Sequence, residues 1–184
     1  MTELRQSLNL LTGTSDYSIG DITQKIVGKI TQAGYEIVEV NDTKPWGAYV
    51  RISGEQANEF VADFFDDLSP EEARLGNLDA ELSPKILIVS PDERLSLQTH
   101  ARRAERWNFL TPGFYYKGTT LDNTQLYEAQ AGEVVQFKKG EIHRLCGAKK
   151  GFVIVAEIWQ HSDPTRLSDE DDIDRLEDDY SRVA

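Results

Sequence analysis

Apolar positions fall into two textures along the chain. Between Ile19 and Ala33, Ile22, Ile26 and Ile30 recur every four residues and Gly34 follows as a stop, which predicts a helix. Tyr35–Val40 alternates and predicts a strand; Asn41–Pro45 is turn chemistry, and Trp46–Ile52 predicts a second strand. Over residues 55–68 the helical period returns, with Ala57, Phe60, Val61, Phe64, Phe65 and Leu68 on one face. Ser69-Pro70-Glu71-Glu72 then supplies an N-cap, a proline in the first turn and acids over the dipole of a short helix ending near Gly76. From Pro84 the texture is β. Lys85–Ser90, Arg94–His100, Arg106–Leu110, Gln125–Ala129, Val134–Phe137, Arg144–Cys146 and Phe152–Trp159 are short runs separated by glycine-containing turns, the pattern of a β-sandwich or barrel. Residues 1–17 show no clear period and read as a loose flank. From Leu167, Ile173, Leu176 and Tyr180 sit at helical spacing, which predicts a short helix over the barrel.

A length of 184 residues bounds the chain at one ordinary domain or one domain with an extension, and 39% hydrophobic residues suffice for a core. The net charge of -12 argues against nonspecific binding to nucleic acid or an anionic membrane. That charge is uneven. Residues 55–84 hold nine acidic side chains and one basic, residues 163–184 nine and three, whereas residues 85–162 hold eleven basic and eight acidic. Either acidic helices flank a mixed-charge sheet, or the basic segment meets an anionic ligand. The single cysteine, Cys146, excludes an internal disulfide and a cysteine-rich zinc site. No apolar run reaches the roughly 18 residues of a membrane span, and the N-terminus lacks a secretory pattern, so a soluble cytoplasmic protein is expected.

In the stretch from Arg94 to His100 a strand places Arg94, Ser96, Gln98 and His100 on one face, opposite Leu95 and Leu97. Glu105 follows five residues after His100 and shares a face with Trp107 and Phe109. About forty residues on, Lys139-Gly140-Glu141-Ile142-His143-Arg144 places a second histidine just after a turn. Gln98, His100, Glu105 and His143 make a mixed nitrogen and oxygen ligand set suited to one divalent transition metal, zinc first, with manganese, iron, cobalt or nickel as alternatives. The competing reading is that these residues are incidental to strands and turns. His161 matches nothing and reads as surface.

Six stretches together resemble the cupin superfamily and, within it, type II mannose-6-phosphate isomerases: KPWGAY at 44–49, ERLSLQ at 93–98, QTHARRAERW at 98–107, AGEVVQF at 131–137, KKGEIHRL at 138–145 and SDEDDIDRLEDDYSR at 168–182. The resemblance implies a mainly β fold, a cupin barrel (double-stranded β-helix or jelly roll) with added N-terminal and inserted helices. Residues 1–43 would be an extension packed on a cupin domain over 44–184, with an acidic helical insertion at about 55–83 and an acidic tail at 163–184. The resemblance puts the family's metal ligands on Gln98, His100, Glu105 and His143, and its basic residues on Lys85, Arg94, Arg103 and Arg144, as catalytic or substrate-binding candidates.

The implied activity is metal-dependent aldose–ketose isomerisation, mannose 6-phosphate to fructose 6-phosphate, with a homodimer as the implied assembly. An isomerase of a free aldose such as lyxose or mannose, and a noncatalytic sugar- or metabolite-binding cupin, are the alternatives. The sequence departs from the family pattern in having Ala101, Arg102 and Arg103 where histidines are common, Lys138 where a proline opens the second motif, and about thirty extra residues of acidic helix before the first motif. These departures bear on the substrate more than on the ligand set.

Overall fold

The stripe of Ile22, Ile26 and Ile30 does form a helix, and its start is built by Ser18, whose hydroxyl accepts from the Asp21 N–H while Asp21 reaches back to the Ser18 N–H. In a computed structural model describing residues 2–11, 16–162 and 165–181, the elements in order are α1 (Glu3–Asn9), α2 (Ile19–Gln32), β1 (Ile37–Lys44), β2 (Gly47–Ile52), α3 (Ala57–Phe64), α4 (Pro70–Ala73), β3 (Lys85–Val89), β4 (Leu97–Thr99), β5 (Arg103–Phe109), β6 (Gly113–Gly118), β7 (Gln125–Ala129), β8 (Val134–Phe137), β9 (Ile142–Cys146), β10 (Val153–His161) and β11 (Asp174–Glu177). The strands form two antiparallel sheets, ordered β1-β2-β3-β10-β5-β8 and β11-β4-β9-β6-β7.

Alternation on the first sheet builds two separate cores. On β3 and β10, Ile86, Ile88, Ile154, Ala156 and Ile158 face the helices and pack against Ile22, Ile26, Ile30, Phe60 and Phe64. The intervening Leu87, Val89, Val153 and Val155 face the second sheet and join Trp107, Phe109, Phe137 and Leu145 inside the barrel. Gly47 permits this packing: its φ is +143°, and a Cβ there would lie 2.0 Å from the Ile88 carbonyl oxygen.

Several expectations change. Part of the presumed loose flank is helix α1, which buries Leu4 and Leu8 and ties Arg5 to Asp66 at 2.7 Å; residues 1 and 12–15 of that flank lie outside the described residues. Seven residues are too few for a convincing period, and the tertiary ion pair supplies what local pattern lacks. Asn41–Lys44 belongs to β1, its turn chemistry used in a hairpin irregularity where the Asn41 side chain accepts from the Thr43 N–H. Helix α3 stops at Phe64, and Phe65 leaves helical geometry while remaining buried. The aromatic run Phe114–Tyr116, lacking alternation, is strand β6 between β9 and β7.

Among its described residues the tail forms no helix. Its Asp174–Glu177 segment is strand β11, paired with the edge of β4 so that Asp174 faces Thr99 and Arg175 faces Gln98. The unpaired backbone of β4 offers the tail hydrogen bonds, whereas a helix would stack Asp169, Glu170, Asp171, Asp172 and Asp174 as like charges.

Candidate metal centre

Strand pairing brings the two motifs together. Gln98 on β4 lies directly opposite His143 on β9, and the Gly140 N–H, in a turn with φ +80°, donates to the His100 carbonyl at 2.9 Å. Glu105 enters from β5 in the facing sheet. All four are buried, Glu105 at 2% exposure and His143 at 1%.

His100, Glu105 and His143 form one cluster whose ligating atoms lie within 4.8 Å of one another. His100 Nε2 is 3.0 Å from Glu105 Oε1, and His143 Nε2 is 3.2 Å from Glu105 Oε2. Two donors about 2.1 Å from one ion, at right-angle to tetrahedral separation, stand roughly 3.0–3.4 Å apart, so these spacings fit a shared cation. The outer ring nitrogens point the same way. His100 Nδ1 lies 2.5 Å from the Asp172 carbonyl oxygen and His143 Nδ1 3.0 Å from the Glu141 carbonyl oxygen. Carbonyl acceptors fix the proton on Nδ1 and leave Nε2 as a lone-pair donor, the arrangement of a metal-ligating histidine. His143 Nε2 and Glu105 Oε2 are buried without a hydrogen bond. The residues present can therefore hold a divalent cation. Burial pushes the Glu105 carboxyl up, but the neighbouring His100 and Arg103 hold it well below the usual carboxylate range.

Gln98 sits beside this cluster with its amide nitrogen 3.4 Å from His100 Nε2, while its oxygen accepts from the Ser96 hydroxyl at 2.9 Å. Coordination through oxygen needs a half-turn of the amide, which Ser96 tolerates because a hydroxyl both donates and accepts.

The four basic candidates separate. Lys85 and Arg103, with Gln98 and Glu105, line a cavity of about 160 Å³; both cations lie 3.8 Å over the Trp159 ring. Lys85 pairs with Glu170 of the tail at 2.8 Å, and Arg103 donates to Glu105 Oε1 at 2.9 Å and to the Asp169 and Asp172 carbonyls. Arg94 and Arg144 do not line this cavity. Arg94 pairs with Asp179 and Arg144 donates to the Glu177 carbonyl, so both fasten the tail. The acidic tail thus neutralises much of the basic segment, which is where the charge imbalance of the sequence goes.

Other expectations and omissions concern single residues. His161, expected at the surface, is buried and accepts the Ser168 N–H on Nδ1 at 2.9 Å, because the tail folds over it. Asp172 takes the Ala101 and Arg102 N–H groups and the Ser168 hydroxyl; burial raises its carboxyl, yet these bonds bring it below its ordinary value. Nothing marks Asp172 among nine acids of the tail. Glu157 carries a signal that could have been read: it is the lone acid within the apolar run Phe152–Trp159, and it lines the cavity.

No helix among the described residues is long and apolar enough to cross a membrane. A search of curated protein sequences finds no significant match. Among solved structures, the chain is similar to the capsular polysaccharide assembling protein CapF from Staphylococcus aureus (TM-score 0.51, 13% identity, covering 78% of this chain and 35% of that one). It is also similar to CapF with the inhibitor 3-isopropenyl-tropolone (TM-score 0.52, 13% identity, 95% and 46%) and to the formate complex of Lactobacillus farciminis oxalate decarboxylase (TM-score 0.50, 13% identity, 79% and 34%). The chain spans between a third and a half of each of these, and at such identity the likeness is one of fold. The family described as "Mannose-6-phosphate isomerase C-terminal" matches residues 77–178, a stretch that begins just after the helices and holds Gln98, His100, Glu105, His143 and the tail strand. The chain, a cupin β-barrel with added helices, belongs to that mannose-6-phosphate isomerase C-terminal family.

Proposed function

We infer that the protein is a metal-dependent aldose–ketose isomerase of a sugar phosphate, mannose 6-phosphate to fructose 6-phosphate. One observation carries this reading: the buried His100–Glu105–His143 cluster, with its lone pairs turned inward by backbone carbonyls, adjoins a cavity holding Lys85 and Arg103. Such a reaction moves a proton between adjacent carbons and builds negative charge on sugar oxygens. A bound divalent cation, zinc in the first instance, supplies positive charge against those oxygens. Gln98, His100, Glu105 and His143 would hold it, and only Glu105 among them is anionic, so the ion keeps most of its charge. Arg103 orients Glu105 and stacks on Trp159. Lys85, buried at its stem and ending over the same ring, meets the anionic end of the substrate once Glu170 yields. Trp159 and the tail residues Glu170, Ile173 and Arg175 line the same cavity.

The Lys85–Glu170 pair favours a second reading, a free aldose as substrate, because the cation nearest the cavity already has a counter-charge. The test is metal analysis of the purified protein, then turnover of mannose 6-phosphate, mannose and lyxose before and after chelation. Stoichiometric metal with chelator-sensitive turnover of the phosphorylated sugar is expected. Turnover of only the free sugars selects the second reading, and metal without turnover of any sugar selects a noncatalytic binding protein.

A further inference from the structure

Isomerisation needs a group to carry one proton between two carbons, and the cluster that would hold the cation cannot spare one. Glu105 faces His100, His143 and Arg103, and both imidazoles spend Nδ1 on carbonyls. Of the cavity's other carboxylates, Glu170 rides on the exposed tail and is engaged by Lys85. Glu157 remains. It lies on β10 directly opposite Trp107 of β5 and Lys85 of β3, on the inward face, one diagonal step from Glu105. Diagonal neighbours on paired strands are about 7–8 Å apart, so a ligand reaching Glu105 and Gln98 also meets Glu157. The residue is 6% exposed, and each carboxyl oxygen accepts one indole N–H, from Trp107 at 3.0 Å and Trp159 at 3.1 Å. One acceptor site per oxygen is left over, in a group that lines the cavity.

Resting on the isomerase reading above, we propose that Glu157 is the catalytic residue that transfers the proton between C1 and C2 of the sugar. The carboxylate takes the C2 proton; the C2–H pair becomes the C1=C2 bond, and the C1 carbonyl pair moves onto O1. The O2 proton passes to O1, the O2 pair re-forms a carbonyl at C2, and the C1=C2 pair takes the proton back from Glu157 at C1. Nothing is oxidised or reduced overall, and the carboxylate is regenerated. Burial, and then the neighbouring Glu105, push the Glu157 carboxyl up, against the pull of Lys85 and Arg103.

The alternative role is structural, a carboxylate tying two indoles together. The test uses the metal-loaded full chain with the sugar that the parent turns over. Glu157→Gln should keep metal and bind substrate with KM within a few-fold, while kcat falls by about 10²–10⁴-fold and deuterium from heavy water no longer enters the product carbon. Since the amide cannot accept from both indoles, Glu157→Asp is the second variant. It keeps both oxygens but withdraws them, so kcat should fall at least about tenfold and the isotope effect of C2-deuterated sugar should grow, with metal content unchanged. A structural tie would not raise that isotope effect. Parental kcat in either folded variant, or a Glu157→Asp enzyme whose loss comes without a larger isotope effect, overturns the proposal while leaving the isomerase reading in place. Absence of turnover in the metal-loaded parent with all three sugars removes that reading and the proposal with it.

Discussion

The two faces of the central strands β3 and β10 are both buried and are chemically opposite. Toward the helices, Ile86, Ile88, Ile154, Ala156 and Ile158 meet isoleucines and phenylalanines, and the few polar groups there are spent on backbone, as with Asn108 donating to the Phe64 carbonyl. Toward the second sheet, β3, β5 and β10 are apolar at one side of the barrel, with Val89, Val153 and Phe109, and charged at the other, with Lys85, Glu157, Arg103 and Glu105. Burying charge is costly, and an apolar replacement of equal volume is often as stable. The outer face therefore holds the fold, and the polar end of the inner face is there for what it can bind. The acidic tail seals that end, its residues bonded to His100, Arg102 and Arg103.

Four experiments test the division between the faces. The largest effect on stability is expected from Phe64→Ala, which should cost about 3–5 kcal/mol in chemical denaturation yet leave metal content intact in the folded fraction. A parental unfolding midpoint would show that α3 adds nothing to the outer core. His143→Ala should do the reverse. Removing a ligand should weaken metal binding beyond the 10–100-fold, about 1.4–2.8 kcal/mol, typical of outer supporting partners, measured by competition with a chelator, with circular dichroism unchanged. Retention of full affinity would dissolve the proposed centre.

Within the inner face, Lys85→Met should reduce use of the phosphorylated sugar by about 1.5–3 kcal/mol in kcat/KM and spare the unphosphorylated one. Arg94→Met, whose side chain pairs with Asp179 of the tail and lies outside the cavity, is the comparison and should leave both nearly unchanged. Equal losses on both sugars for Lys85→Met would place phosphate elsewhere.

The smallest effect is a pH dependence beneath the tail. Burial, with Arg103 nearby, lowers the His161 imidazole below its ordinary value, and its Nδ1 already accepts from Ser168. The unfolded chain then binds more protons than the folded one around and below pH 6.5, so this contribution to stability is present above that pH and is lost as pH falls. Melting curves at pH 7.5 and 5.5 should show a smaller acid-induced drop in His161→Gln than in the parent. Identical drops would mean that His161 is free to protonate in the folded state.

Local pattern by itself determined helix α2, the capping box at Ser69 and most of the barrel strands, because periodicity and end signals act over a few residues; of the expected strand Arg94–His100 only Leu97–Thr99 forms, with Gln98 in it and His100 just past its end. It also singled out Glu105 and His143, since a chemically distinctive residue beside a turn stands out in one dimension. What tertiary structure alone decided is which charges meet. Lys85 and Arg103 reach the cavity while Arg94 and Arg144 go to the tail, and that split follows from strand register and from β11 choosing the edge of β4 over a helix. His161, Asp172 and Glu157 acquire their roles in the same way. A buried polar group is defined by the partner that satisfies it, and these partners lie on strands or tail segments distant in sequence or across a sheet, where no periodicity along the chain can point.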